Sequence, residues 1–149
     1  MTALVTDAGS RPQLIFLPCC GMAFWTIGSL FRLGYARSTA LKSRKMRMSY
    51  YKLYNDGGEP EHIALLSQHV ENLFEAPPLF YLACIVLYLT KGVSPVTAGL
   101  AWVYLLCRMV HTVVHTGTNN VRHRFFSYIA STVAMLGLWG FAAKAVLEA

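Results

Sequence analysis

The fold class this sequence predicts is an all-α, integral membrane four-helix bundle, and three observations predict it. Apolar residues make up 55% of the 149 residues and charged residues only 13%, against about 25% charged in an average soluble chain. The apolar residues gather in four runs, each of about the 20 residues needed to cross a hydrocarbon core. The runs are continuous and not alternating, which excludes a transmembrane β-barrel. The length is that of one domain, covering 1–149.

Residues 1–12 read as a short polar tail. Asp7, Gly9 and Pro12, followed by an apolar run too long for a cleavable h-region, argue against a secretory signal peptide. The first span covers roughly residues 13–35 and contains Pro18, Gly21 and Gly28, types common in membrane helices. Arg32 lies near its end, where it can snorkel to the interface. Arg37, Lys42, Arg44, Lys45, Arg47 and Lys52 then form a basic connector, which closes in the turn signal Asn55-Asp56-Gly57-Gly58-Glu59-Pro60. The second span covers roughly 62–90 and carries Pro77 and Pro78. A proline removes a backbone donor and clashes with the preceding turn, so the helix bends there. Lys91 to Pro95 make a short turn, and the third span covers roughly 96–115. A polar connector follows, and the fourth span covers roughly 124–146, with Gly137 and Gly140 offering close helix approach.

The net charge of +6 is concentrated after the first span. A further basic group, Arg122 to Arg124, follows the third, whereas the middle turn carries only Lys91. The positive-inside rule places the first and third connectors in the cytoplasm and both termini on the opposite side. The basic connector lacks the aromatic interleaving of single-strand binders and adjoins a span, so it marks topology and not a nucleic-acid partner. Cys19, Cys20, Cys84 and Cys107 lie within apolar runs without zinc-site spacing and read as small buried hydrophobes.

Two spans carry polar faces. Gln68, Asn72 and Glu75 fall at i, i+4 and i+7 of the second, alongside His69 and Glu71. Arg108, His111 and His115 fall at i, i+3 and i+7 of the third, with Thr112 beside them. Helices joined by a short turn are antiparallel neighbours, so the two faces can meet. A charge at membrane depth needs a partner or a wet cavity. Arg108 is the natural counter-ion of Glu75, with Asn72 able to bridge to either. For any one residue, a polar seam fixing helix register is the simpler reading. The excess of cations in the whole set suits an anionic ligand with its own carboxylates. Haem binding, or a metal held by His111, His115 and Glu75, is the lesser reading, because histidines on a polar seam are more often hydrogen-bonded than metallated. No metal is therefore expected.

Asn72-x-x-Glu75 followed by Pro-Pro-Leu-Phe, then Arg108-x-x-His111-Thr112-x-x-His115-x-Gly117 and Arg124, resembles the MAPEG family, the membrane-associated proteins of eicosanoid and glutathione metabolism. The likeness covers nearly the whole chain. It implies a homotrimer of four-span subunits that binds glutathione between neighbouring subunits on the cytoplasmic side. By position, Asn72 and Glu75 would hold the peptide part of glutathione, with Gln68, Arg108 and His115 on the same seam. His111 would line the pocket, Arg124 would stabilise the thiolate, and Arg37 would bind a carboxylate. Gln68 and Glu71 stand where family members usually carry arginines, His115 where the synthases have tyrosine, and Phe125 where the prostaglandin synthase has serine. These departures point to a divergent, bacterial-type member.

The resemblance implies a glutathione-dependent transferase or peroxidase acting on a lipophilic electrophile that arrives from the lipid. The rival reading is a non-catalytic member: an accessory or structural subunit of a larger membrane complex, or a lipid-binding module that keeps the seam for structure.

Overall fold

The computed structural model describes residues 11–45, 48–53 and 58–148. The polar tail up to Ser10, Arg47, the first half of the turn signal from Asn55 to Gly57, and Ala149 lie outside the described residues. A 3-10 turn at Pro12–Ile15 leads into α1 (Phe16–Lys42), followed by the single turn α2 (Tyr50–Leu53), α3 (Glu61–Glu75), α4 (Pro77–Leu89), α5 (Pro95–Thr116) and α6 (Val121–Leu147). No strand occurs among the described residues. The stretches Pro12–Lys42, Glu61–Leu89, Pro95–Thr116 and Val121–Leu147 are long and apolar enough to cross a membrane.

The first helix continues well past the apolar run, from Tyr35 to Lys42. Ala36, Ala40, Leu41 and Lys42 are good helix formers, and Leu33 and Ala40 pack on Ile63, Leu66 and Val70 of α3. Arg44, in the left-handed region at φ 55°, marks the turn beyond the helix end. The apolar run ends where the membrane would end, whereas the helix ends where its packing ends.

The second span is two helices. Pro77 and Pro78 have no N–H to offer Leu73 and Phe74, so α3 stops at Glu75 and α4 restarts at Pro77. Ala76 between them stays near helical dihedrals, φ −89° and ψ −43°, which keeps the break small. Ser94 and Thr97 form a capping box at the start of α5, with Pro95 at the first helical position. At the start of α6 the Asn120 side chain accepts from the N–H groups of Arg122 and His123.

The core lies between α4, α5 and α6. Phe80 stacks on Tyr104 with ring centroids 4.2 Å apart, among Ala83, Leu87, Ala101, Leu105, Ala134 and Leu138. Gly137 admits Leu100, whose Cδ1 would lie 3.1 Å from an added Cβ, whereas Gly140 faces open space. Of the cysteines only Cys84 is fully buried, and Cys20 is exposed on the outer face of α1. Large apolar side chains such as Phe24, Phe31, Val133 and Leu136 also face outward, the pattern of a chain solvated by lipid or by further copies.

Contacts at the two ends fix the up-down order. Phe16 lies against Tyr88, ring centroids 5.1 Å apart, and Gly92 lies against Ala145. The start of α1, the α4–α5 turn and the end of α6 therefore share one end. At the other end Arg32 donates to Thr116 Oγ1 at 2.9 Å, and Arg37 pairs with Glu59 at 2.8 Å. The basic connector and the Thr116–Asn120 connector share that end.

Candidate functional site

The polar face of α5 is buried because its apolar and polar inward residues follow one 3–4 spacing, from Thr97 and Ala101 through Tyr104 to Arg108, His111, Thr112 and His115. Trp25 Nε1 of α1 donates to Thr112 Oγ1 at 2.8 Å, and Thr112 Oγ1 donates to Arg108 O at 2.9 Å. These bonds hold α5 so that its face turns toward α3 and α6.

There it borders a cavity of about 320 Å³, within the roughly 300–1,000 Å³ of ligand sites. α3 contributes Gln68, Glu71, Asn72 and Glu75, and α5 contributes His111 and His115. α6 closes it with Val121, Arg124, Phe125 and Tyr128. Gln68, Glu71 and Glu75 are exposed, so the cavity is open on its α3 side.

Arg108 is fully buried behind this wall. Its Nη2 donates to Asn72 Oδ1 at 2.5 Å and to Asn72 O at 2.9 Å, and the guanidinium carbon lies 5.8 Å from the Tyr128 ring centroid. Nε and Nη1 have no hydrogen-bond partner among the described residues. A direct Arg108–Glu75 ion pair, expected from the sequence, does not form: Arg37–Glu59 and Lys144–Glu148 are the direct ion pairs among the described residues. Asn72, one turn before Glu75 on the same face, takes the arginine instead, and Glu75 opens to the cavity.

Arg124 sits one turn into α6, with its own N–H bonded to Asn120 O at 2.9 Å. Asn120 has already satisfied the N–H groups of Arg122 and His123. The anion-attracting group on this wall is therefore the Arg124 guanidinium and not open helix amides. Asn119 Oδ1 accepts from Arg124 Nη1 at 3.0 Å and steers it. Arg37 does not reach the cavity. Its Nε donates to Glu59 and its Nη2 to Ser67 Oγ, at 2.8 and 2.9 Å, and it lies 5.2 Å from the Tyr51 ring centroid.

One group was missed from the sequence. His69 is 1% exposed and turns inward, so that ring nitrogens of His69, His111 and His115 lie within 4.8 Å of one another. The spacing His69-x-x-Asn72 signals that both residues share a helix side. Glu75, the third ligand considered from sequence, is not part of this cluster.

A polytopic helical membrane protein with a polar cavity at one end is thus the class that fold and site define. Residues 15–144 match the MAPEG family, and the chain belongs to that family. A search of curated proteins returned no match.

Proposed function

We propose that the chain is a membrane-bound glutathione-dependent transferase or peroxidase acting on a lipophilic electrophile, and that it works as a homotrimer. The observation that supports this most is the cavity itself. It gathers Gln68, Asn72, Glu75, His111, His115 and Arg124 from three helices into one space. Membership of a family generally associated with glutathione supports that ligand class.

In this reading Asn72 and Glu75 hold the peptide part of glutathione, Gln68 and His115 border it, and His111 lines the pocket. Arg108 acts from behind by fixing the Asn72 side chain. A thiol of ordinary pKa about 8.5 is mostly protonated at neutral pH, and a neighbouring guanidinium favours the thiolate. Arg124 fills that role. The sulfur attacks the electrophilic carbon, a carbon–sulfur bond forms, and the bond to the leaving group breaks. With a hydroperoxide the sulfur breaks the O–O bond and an alcohol leaves. A second glutathione then reduces the sulfenic acid to the disulfide, with loss of water.

Trimer assembly answers two features of the single chain. Glu71 and Glu75 are exposed within a span, where a carboxylate needs a partner. Arg37 is on another helix, outside the cavity, and joins the site only as Arg37 of a neighbouring copy. The end that carries the basic connector faces the cytoplasm, by the positive-inside rule.

The test is glutathione binding and thiolate absorbance with purified protein, together with conjugation of a generic electrophile. Binding at millimolar glutathione with measurable conjugation is the expected result. If the protein neither binds glutathione nor forms the thiolate, the accessory-subunit reading replaces this one.

A further inference from the structure

We infer that His69, His111 and His115 form a binding site for one divalent first-row transition ion, of the zinc type, in the inner wall of the cavity. The inference goes beyond the glutathione reading and does not depend on it.

Three imidazoles from two helices converge here, each at most 5% exposed. Both nitrogens of His69, both of His115 and Nε2 of His111 lack a hydrogen-bond partner among the described residues. Burying a polar atom unpaired is costly, and here five such atoms lie in one cluster. His111 and His115 stand at i, i+4, the spacing that puts two histidine ligands on one helix face.

His111 also shows the outer contact that metal-bound histidines need. Its Nδ1–H points at Arg124 O at 3.1 Å and at Ser127 Oγ at 3.3 Å, and Ser127 Oγ is itself anchored to Arg124 O at 3.0 Å. A donor bond at Nδ1 fixes the tautomer and leaves the Nε2 lone pair for a metal.

Bonds of 2.0–2.1 Å at the tetrahedral angle place ligand nitrogens about 3.4 Å apart. The observed limit of 4.8 Å is wider than that, so metal binding would require the rings to turn toward one another. Three neutral imidazoles suit zinc, cobalt, nickel or copper, and not magnesium or calcium. Arg108 and Arg124 oppose a dication in this region, whereas Glu71 and Glu75 on the same cavity favour it. His111 and His115 line the cavity, which gives an ion its route in and leaves room for a fourth ligand.

The experiment uses tag-free, metal-stripped protein in detergent, titrated with Co²⁺, whose four-coordinate complexes absorb strongly in visible light. The expected result is one equivalent per chain, displaced by Zn²⁺. His69→Gln and His115→Gln should each weaken binding by more than the roughly 10–100-fold typical of changes behind the ligands. His62→Gln, on the exposed first turn of α3, should leave binding unchanged. Sub-stoichiometric binding, spectra of six-coordinate cobalt, or equal affinity in His69→Gln would overturn the proposal and leave the imidazoles to water. If the His69 variant fails to fold, the cobalt spectrum of the unaltered protein decides alone. Neither readout requires glutathione, so this proposal and the transferase reading fail separately.

Discussion

Replacing Asn72 by alanine removes one of the two acceptors that the buried Arg108 guanidinium has. Nε and Nη1 have no partner among the described residues to compensate. A hydrogen bond to a charged group contributes about 1.5–3 kcal/mol in soluble proteins. Side-chain pairs in membrane helices couple more weakly, about 0.6 kcal/mol on average and up to about 1.7. A 2.5 Å bond to a guanidinium that is 0% exposed belongs at the upper end, so we expect a coupling of about 1.5 kcal/mol. The assay is a double-mutant cycle of Asn72→Ala and Arg108→Leu, read by reversible unfolding in detergent. A parallel cycle of Glu75→Gln and Arg108→Leu should stay within about 0.5 kcal/mol of additivity. The single changes should also be unequal. Asn72→Ala leaves a buried charge with only the backbone carbonyl of residue 72 as acceptor, while Arg108→Leu leaves only a neutral amide unpaired, so the asparagine change should be the more destabilising. A Glu75 coupling as large as that of Asn72 would refute the assignment of the arginine's partner.

Three further outcomes are expected. If the proposed function holds, Arg124→Leu should raise the pKa of the bound glutathione thiol and shift the rising limb of the pH–rate profile to higher pH. A shift of one unit corresponds to about 1.4 kcal/mol, and an unchanged profile would remove the thiolate role from this residue. Gly92→Ala places a Cβ 2.7 Å from Ala145 Cβ; it should destabilise the α4–α5 turn by about 1–3 kcal/mol, and a melting temperature equal to that of the unaltered protein would contradict the close approach. A reporter fused after the last helix should be active only on the non-cytoplasmic side, and activity in the cytoplasm would reverse the proposed topology.

The four spans were legible in the sequence because apolar runs of membrane length have few other uses. The meeting of two polar faces was legible too, since Gln68, Asn72 and Glu75 share one helical side and His111 and His115 another. What local spacing could not encode is the axial offset of α3 against α5. That offset, smaller than one helical turn, decides whether Arg108 meets Asn72 or Glu75. His69, by contrast, was within reach of the spacing, since it shares a helix side with Asn72. The end of α1 was hidden for a different reason: Ala40 is held by packing on α3, beyond the reach of a hydropathy pattern. Arg37 was placed at the site through the resemblance, and in a single chain Glu59 and Ser67 engage it instead.

The broken second span has a consequence for how the chain enters a bilayer. α4 has only 13 residues, about 20 Å of helix at 1.5 Å per residue, against a hydrocarbon thickness of about 30 Å. Part of α3 must therefore enter as well, bringing Asn72 and Glu75 with it. Insertion scales charge about 2.5–3.5 kcal/mol for an ionised residue at mid-helix, so this segment is a weak insertion signal when it emerges alone. The arginine that meets Asn72 arrives with α5, which is synthesised later. The second and third spans should therefore leave the insertion machinery as a pair, with the polar seam already closed between them.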